Sequence, residues 1–260
     1  MVIFLDIQKG DYVTRNSYNN DTVFKVINIK DGIYYLKGIE VRLYADSDLL
    51  DLKKCEEPII EDDYKGEREI KDIEKSDFFF LPPKILHIDS DSEYLDRCLK
   101  FYKHYGIYAI GKKINEEDIS NQITLLLKEY KPDIVIITGH DSLKKNSNKY
   151  DINNYKNTKN FIKAIKMARK YESSHEKLVI IAGACQSNYE ELIKAGANFA
   201  SSPKRVNIHA LDPAIIAINI ALTERNKEIN LKEVLEKTKY GKDGMGGLLC
   251  NGLMYVGYPR

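Results

Sequence analysis

The run of branched apolar residues from Leu178 to Ile181 constrains the fold of this chain more than any other feature. An unbroken apolar run predicts a parallel strand, because helices cover both faces of such a sheet and leave no polar side to alternate with. The small residues Ala182-Gly183-Ala184 follow and predict a close turn, after which comes Cys185. Cys185 is therefore predicted to lie at the carboxyl edge of the sheet, where open α/β sheets bind ligands.

A second apolar run, Ile134 to Ile137, ends in Thr138-Gly139-His140. His140 and Cys185 are 45 residues apart in the sequence (185 minus 140), which leaves room for one loop, one helix and one strand between them. Two neighbouring parallel strands would bring a thiol and an imidazole to one edge, as a nucleophile and its base. Cys185 and His140 are thus the predicted catalytic pair. A buried structural thiol is the alternative interpretation of Cys185 alone.

Residues 78–260 alternate between strand and helix patterns, which predicts an α/β domain with a parallel sheet flanked by helices and joined by right-handed crossovers. The glycine-rich tail from Gly241 to Gly257 predicts a closing hairpin. A polar loop after His140 has the length of a functional or mobile loop.

Residues 1–53 contain four or five short β-rich runs separated by turn residues, among them 23–29, 33–36 and 41–43, which predicts a small SH3-like β-barrel. Within it, Lys30-Asp31-Gly32 predicts a tight hairpin, since Asp-Gly tolerates the positive φ that such turns need. Residues 54–77 are rich in charge and poor in apolar residues, which predicts a linker or an exposed helix. Exposure would also make this segment a place to cut.

Composition limits the classes of partner. The 40 Lys and Arg residues nearly cancel the 39 Asp and Glu residues, so nothing predicts nucleic acid or a membrane as a partner. The short apolar start predicts no signal peptide. The four cysteines are widely spaced, so neither a disulfide framework nor a metal site is predicted. A cytoplasmic location and no cofactor are the expectations.

The chemistry of a thiol nucleophile indicates acyl transfer, in practice cleavage of a peptide, an amide or a thioester. His140 could take the proton of the thiol, and the helix predicted after Cys185, from Asn188 to Ala195, would add a positive dipole end beside the sulfur. Backbone N–H groups of Gly139, Gly183 and Ala184 are the candidates for holding an oxyanion.

These features resemble the caspase-like cysteine peptidases, in which an apolar strand ends in His and the next parallel strand ends in Ala-Cys. In this chain Gly139 precedes His140, whereas much of that clan has the reverse order. The chain is also similar to the YabG family of sporulation-specific cysteine proteases, over nearly its whole length except the charged linker. The runs that carry this similarity are Gly10-Asp-Tyr-Val13, Val41-Arg-Leu-Tyr-Ala-Asp-Ser-Asp48, Ile85-Leu-His-Ile-Asp89, Pro132 to Asp141, Ala182-Gly-Ala-Cys-Gln-Ser187 and Ala195 to Pro213.

The resemblance implies a caspase-like peptidase with Cys185 and His140 as its catalytic pair. It further implies cleavage after Arg, action on spore coat and germination proteins in the mother cell or at the spore coat, and self-processing. The oligomeric state does not follow from these residues.

A preference for Arg requires a carboxylate in the substrate pocket. Asp89 and Asp91, at the end of the first strand of the sheet, and Asp212 are the candidates. Each of them is equally well explained as a loop or helix cap. His209 is a weaker candidate for a second base, and His87, inside a strand, is predicted to be structural.

Two other interpretations remain open. Ile85 to Asp91, Pro132 to Ile137 and Leu192 to Ala197 resemble a response-regulator receiver domain, which would hold a metal at Asp89 and Asp91. The phosphoryl acceptor expected after its third strand is replaced here by Thr138-Gly139-His140, so a shared sheet architecture explains the likeness. The other interpretation is an inactive scaffold whose barrel binds a partner.

Overall fold

The computed structural model describes residues 7–58 and 78–258. The chain divides into two compact units, residues 1–63 and 64–260. Most of the predicted linker, 54–77, lies outside the described residues, so its bounds stay a prediction; its first two residues belong to the last strand of the first unit.

The first unit contains one antiparallel sheet of five strands, in the order β4-β3-β2-β1-β5. The strands are β1 (Tyr12–Arg15), β2 (Phe24–Lys30), β3 (Ile33–Gly38), β4 (Tyr44–Ser47) and β5 (Leu52–Cys55). Short 3-10 helices at Asn16–Tyr18 and Leu49–Asp51 join some of them. The core of this unit comprises Ile7, Val13, Phe24, Val26, Leu36 and Leu52.

The Asp31-Gly32 pair forms the predicted hairpin between β2 and β3, with positive φ at both residues (51° and 77°). The predicted strand at 41–43 is wrong in position, because β4 begins at Tyr44. In place of that strand, the Leu43 carbonyl accepts a hydrogen bond from the Gly38 N–H, so residues 39–43 make the turn between β3 and β4.

The second unit alternates strands and helices. Its strands are β6 (Phe79–Leu81), β7 (Ile85–Asp89), β8 (Ala109–Lys113), β9 (Ile134–Ile137), β10 (Val179–Ala182), β11 (Phe199–Ser201), β12 (Met245–Gly247) and β13 (Tyr255–Gly257). Its helices are α1 (Ser92–His104), α2 (Ile119–Tyr130), α3 (Thr158–Tyr171), α4 (Tyr189–Lys194), α5 (Asp212–Ala221), α6 (Leu231–Glu236) and α7 (Gly241–Gly244), with a 3-10 helix at Ile152–Asn154.

The main sheet has the order β12-β11-β10-β9-β7-β8. The five strands from β7 to β11 are parallel, and only β12 is antiparallel to its neighbour. The predicted α/β class with a parallel sheet between helices is therefore confirmed. Strand order reverses between β7 and β9, and such switch points open a crevice at the carboxyl edge of a sheet.

The central strands are fully buried, which explains their unbroken apolar sequences. All four residues of β9 and all four of β10 are buried, and α2 and α3 pack their apolar faces on one side of them. Burying one such side chain stabilises the fold by roughly 1.5–3 kcal/mol, so these two strands anchor the sheet. The residues that follow β9 and β10 are thereby fixed at the edge of the main sheet.

The predicted hairpin in the tail is wrong. β12 pairs with β11, and β13 pairs with β6 in a separate two-stranded sheet. A Cβ on Gly247 would lie 2.3 Å from Cδ1 of Phe199, so glycine lets β12 lie flat against β11. The glycines therefore extend the main sheet instead of turning the chain back on itself.

Within the described residues, no helix is both long enough and apolar enough to cross a membrane.

Candidate active site

His140 and Cys185 follow the ends of two adjacent strands by the same number of residues. β9 and β10 are paired in parallel, with Ile134 opposite Val179 and Ile137 opposite Ala182. His140 comes three residues after Ile137, and Cys185 three residues after Ala182. The fold thus brings the two predicted residues to one edge of the sheet.

The turns that carry the two residues are joined by side-chain hydrogen bonds just beyond them. Ser187 Oγ donates to Oδ2 of Asp141 at 2.9 Å. The backbone N–H of Leu143 donates to Oε1 of Gln186 at 3.1 Å. These bonds hold the loop after β9 against the turn after β10.

Asp141 is the centre of this junction, a role that the sequence did not reveal. Its carboxylate also accepts hydrogen bonds from the backbone N–H of Ser142 and of Asn157 and from the hydroxyl of Thr158. Burial raises the pKa of Asp141 above its ordinary value, although these hydrogen bonds act in the opposite direction. One buried carboxylate therefore connects the start of α3 with both turns.

His140 lies against a carboxylate that sequence reasoning also missed. Oε1 of Glu116 accepts a hydrogen bond from the backbone N–H of His140 at 2.7 Å and lies 3.5 Å from its Nδ1. Ser90 Oγ donates to the same oxygen at 2.6 Å and is 3.2 Å from His140 Nδ1. On the other side of the ring, Nε2 is 3.8 Å from Oδ2 of Asp91.

Glu116 is charged in this environment. Burial raises its pKa, but hydrogen bonds from His140 and Ser90 outweigh burial, so that the pKa lies below its ordinary value. In the sequence Glu116 belongs to a polar run before α2, where acidic residues usually cap a helix. The one signal in the sequence was Gly139, directly before His140, because a glycine allows another group to approach the backbone closely.

Cys185 is fully buried. The backbone N–H of Ile208 donates to its Sγ at 3.3 Å, and the Ile208 carbonyl oxygen lies 3.8 Å from the same sulfur. The helix predicted from Asn188 to Ala195 is confirmed as α4, which begins at Tyr189 with Asn188 as its cap, so that its first residue lies four positions beyond the thiol. The thiol therefore faces backbone groups of the 202–208 region.

Residues 202–208, called here the cover segment, are held in place by Arg205. Its guanidinium donates to the hydroxyl of Tyr155, to Oδ1 of Asn188 and to a carboxylate oxygen of Glu190. It also donates to the carbonyls of Ser202 and Pro203. Ser202 and Arg205 both have φ near +60°, a region that non-glycine residues occupy only when surrounding contacts impose it. The cover segment is thus firmly held, and its last residue, Ile208, contacts the sulfur of Cys185.

The three predicted oxyanion residues differ in their surroundings. The Gly183 N–H donates to the Ile137 carbonyl, and the Ala184 N–H donates to Ser187 Oγ, each at 3.0 Å. For Gly139, no acceptor of its N–H is found among the described residues. A Cβ at position 139 would lie 2.5 Å from Oε1 of Glu116.

Two of the three predicted carboxylates lie at the end of β7. Asp89 is fully buried and accepts hydrogen bonds from Thr138 Oγ1 at 2.8 Å and from the Asp91 N–H at 2.9 Å. Asp91 caps α1 by accepting from the N–H groups of Glu93 and Tyr94. Asp91 is therefore both a cap and a neighbour of His140.

The remaining predicted residues lie in two places. Asp212, at the start of α5, accepts from the N–H groups of His209 and Lys239. His209 Nδ1 accepts from the Leu211 N–H at 3.2 Å. His87 is buried in β7 between Tyr102 and the hydroxyl of Thr138, which agrees with its predicted structural role.

Comparison with known proteins gives a consistent result. The family model described as YabG peptidase U57 matches residues 8–72 and 60–259. The chain is 40% identical over 286 aligned residues to a protein of Bacillus subtilis (strain 168) named "Sporulation-specific protease YabG". That alignment covers 98% of the chain and 99% of the relative.

Proposed function

The chain belongs to the YabG peptidase family, and from this premise we propose that it is a cysteine endopeptidase with Cys185 as nucleophile and His140 as general base and acid. Membership of this family supports the role of a protease in sporulation. The identity of the nucleophile is the step that we add.

The equal positions of His140 and Cys185 after two adjacent parallel strands support this assignment most strongly. Strands paired in register advance together, so residues at the same distance beyond them lie at the same height of the sheet edge. Cysteine and histidine are the residue types that make an activated nucleophile in this arrangement.

The proposed reaction proceeds in two halves. Cys185 attacks the peptide carbonyl while its proton passes to His140, and the carbonyl oxygen becomes an oxyanion near the Gly139 N–H. The intermediate then breaks its C–N bond, and His140 returns the proton to the leaving amine. Water, deprotonated by His140, cleaves the remaining thioester, which releases the acid and regenerates the thiol.

A substrate must first reach the sulfur. Cys185 is fully buried under Ile208, so productive binding requires the cover segment to move. Loop movements of this kind commonly precede catalysis in hydrolases. We infer that the structure corresponds to a closed form of the enzyme.

For specificity, we propose cleavage after Arg, with Asp89, Asp91 and Asp212 as candidates for the pocket carboxylate. Asp91 has the most direct support, because its carboxylate lies 3.8 Å from His140 Nε2. We further propose spore coat and germination proteins as substrates, in the mother cell or at the spore coat. These points come from the family resemblance.

Two finer features of the fold belong to the same proposal. The antiparallel order β4-β3-β2-β1-β5 in the first unit supports an SH3-like barrel. Barrels of this type mostly bind peptides or partner proteins. The adjacent strands β9 and β10 are followed by His140 and by Ala184-Cys185, and this order supports a caspase-like arrangement of the second unit.

The receiver interpretation is not proposed. Membership of a peptidase family favours proteolysis over phosphotransfer. In addition, Asp89 accepts hydrogen bonds from Thr138 and from the Asp91 backbone, so its carboxylate already has partners within the chain.

Replacement of Cys185 by alanine tests the proposal. We expect the full-length enzyme to cleave a fluorogenic peptide with a single Arg, and Cys185→Ala to lower kcat/KM by at least about 1000-fold, as for other nucleophile deletions. The matched control is Cys250→Ala, which should keep full activity. Burial raises the pKa of Cys250 to about 11, so its thiol stays protonated and unreactive at neutral pH.

Thiol alkylation gives an independent reading. Alkylation of Cys185, located by mass spectrometry, should abolish cleavage in proportion to its extent. Full activity of the folded Cys185→Ala variant would refute the assignment of the nucleophile.

A further inference from the structure

We propose that Glu116 is the positioning residue for His140, so that the catalytic pair functions with a third, negatively charged member. This inference rests on the proposed cysteine peptidase function. Glu116 comes from the loop between β8 and α2, far in sequence from both members of the pair.

Several contacts converge on one oxygen of Glu116. Oε1 of Glu116 lies 2.7 Å from the His140 backbone nitrogen, 2.6 Å from Ser90 Oγ and 3.5 Å from His140 Nδ1. Contacts to both the backbone and the ring restrict where the imidazole can lie. Ser90, placed between the end of β7 and α1, bridges the same carboxylate to the same ring nitrogen.

The chain leaves space for the Glu116 carboxylate at Gly139. A Cβ at Gly139 would lie 2.5 Å from Oε1 of Glu116 and 2.7 Å from Ser90 Oγ. Real Cβ atoms do not approach so closely, and any larger residue would displace Glu116. Glycine before the histidine is therefore explained by access of Glu116 to His140.

The negative charge of Glu116 also suits a partner of His140. When Cys185 transfers its proton, His140 becomes a cation, and a carboxylate nearby stabilises that state. Glu116 and Asp91 are the carboxylates whose distances to the two ring nitrogens are 3.5 and 3.8 Å. Asp91 faces Nε2 and also caps α1, whereas Glu116 faces Nδ1. Orientation of histidine through its second nitrogen is the usual means of positioning a base.

Steady-state kinetics of the full-length enzyme would test the inference. Glu116→Gln keeps an oxygen acceptor for Ser90 and the His140 N–H but loses the charge, and Glu116→Ala loses both. We expect kcat to fall about 10-fold for glutamine and about 100-fold for alanine, with KM changed less than about twofold. Glu117→Gln, at the exposed neighbouring residue, is the matched control and should match the wild type.

The pH profile provides a reading that a purely structural role would not change. Loss of the negative charge that lies 3.5 Å from His140 Nδ1 should shift the pH profile of kcat/KM in Glu116→Gln, whereas Glu117→Gln should keep the profile of the wild type. Thermal unfolding of each variant shows whether the fold is kept.

Each outcome leads to a separate conclusion. An unchanged kcat and pH profile in the folded Glu116→Gln variant, while Cys185→Ala is inactive, would overturn the inference and leave the proposed function in place. Activity retained by Cys185→Ala would refute the proposed function itself. An effect on KM alone would assign Glu116 to substrate binding and would also overturn the inference.

Discussion

At the scale of single residues, the candidate site is held together by carboxylates that serve as acceptors. Asp141 accepts four hydrogen bonds, from Ser142, Asn157, Thr158 and Ser187. Through Ser187 it reaches the Ala184 N–H, next to Cys185. One side chain thus transmits the position of the loop after His140 to the turn that contains the thiol.

Removal of the Asp141 carboxylate should destabilise the protein. Asp141→Ala loses four buried hydrogen bonds, so we expect the free energy of unfolding to fall by about 3 kcal/mol. Asp141→Asn keeps acceptor and donor groups for the same partners and should cost only about 1 kcal/mol. Urea unfolding of both variants at neutral pH would measure the difference. Equal losses would show that the hydrogen bonds are not the cause.

The same residue predicts a dependence of stability on pH. Because burial raises the pKa of Asp141 in the folded state, the folded protein binds its proton more tightly than the unfolded chain does. The contribution of Asp141 to stability is therefore largest below the unfolded pKa, about 3.9, and falls as the pH rises through the folded pKa. Relative to wild type, Asp141→Asn should gain stability over that interval, which unfolding curves at several pH values would show.

At the scale of elements, an ion pair joins the cover segment to α4, and we propose that this connection limits access to Cys185. Arg205 of the cover segment is nearly buried, with 8% of its side chain exposed, and pairs with Glu190 in the first turn of α4. Burial raises the pKa of Glu190, but the hydrogen bond and the positive charge of Arg205 outweigh burial. The pKa of Glu190 therefore lies below its ordinary value. This ion pair fixes the middle of the cover segment, three residues before Ile208, which contacts the sulfur.

Loosening that pair should expose the thiol more often. We expect Glu190→Gln to increase the rate of Cys185 alkylation by iodoacetamide about two- to fivefold, since a partly exposed ion pair contributes up to about 1 kcal/mol. Glu191→Gln is the control, because Glu191 contacts Lys194 and not Arg205. Equal alkylation rates in wild type and Glu190→Gln would show that the ion pair does not limit opening.

At the scale of the whole molecule, the chain combines a small antiparallel unit with a larger α/β unit. The predicted linker, 54–77, contains a single arginine, Arg68, which lies outside the described residues. If cleavage follows Arg, self-processing in this stretch can occur at one position only.

Prolonged incubation should therefore divide the wild-type chain after Arg68. We expect mass spectrometry to find fragments 1–68 and 69–260, and to find Cys185→Ala intact. Arg68→Gln should remain uncut in this stretch while it still cleaves an Arg peptide. An intact wild-type chain with full peptidase activity would count against self-processing.

Much of the architecture could be predicted from local sequence patterns. The apolar runs of β9 and β10 allowed both strands and the edge positions of His140 and Cys185 to be predicted, because a strand buried on both faces admits only apolar residues. The Asp31-Gly32 turn was predictable for a similarly local reason, its positive φ. The tail was not, since the partners of β12 and β13 are strands distant in sequence.

The sequence by itself determined which segments become buried strands and which residue types end them, because burial and backbone conformation act over a few neighbouring residues. Only the tertiary structure decided what surrounds the ends of those strands. Crossover connections bring Glu116 to His140 and Ile208 to Cys185, across separations that no local pattern encodes. Local sequence therefore determines that His140 and Cys185 follow the two strands. The fold determines the charge beside His140 and the burial of Cys185.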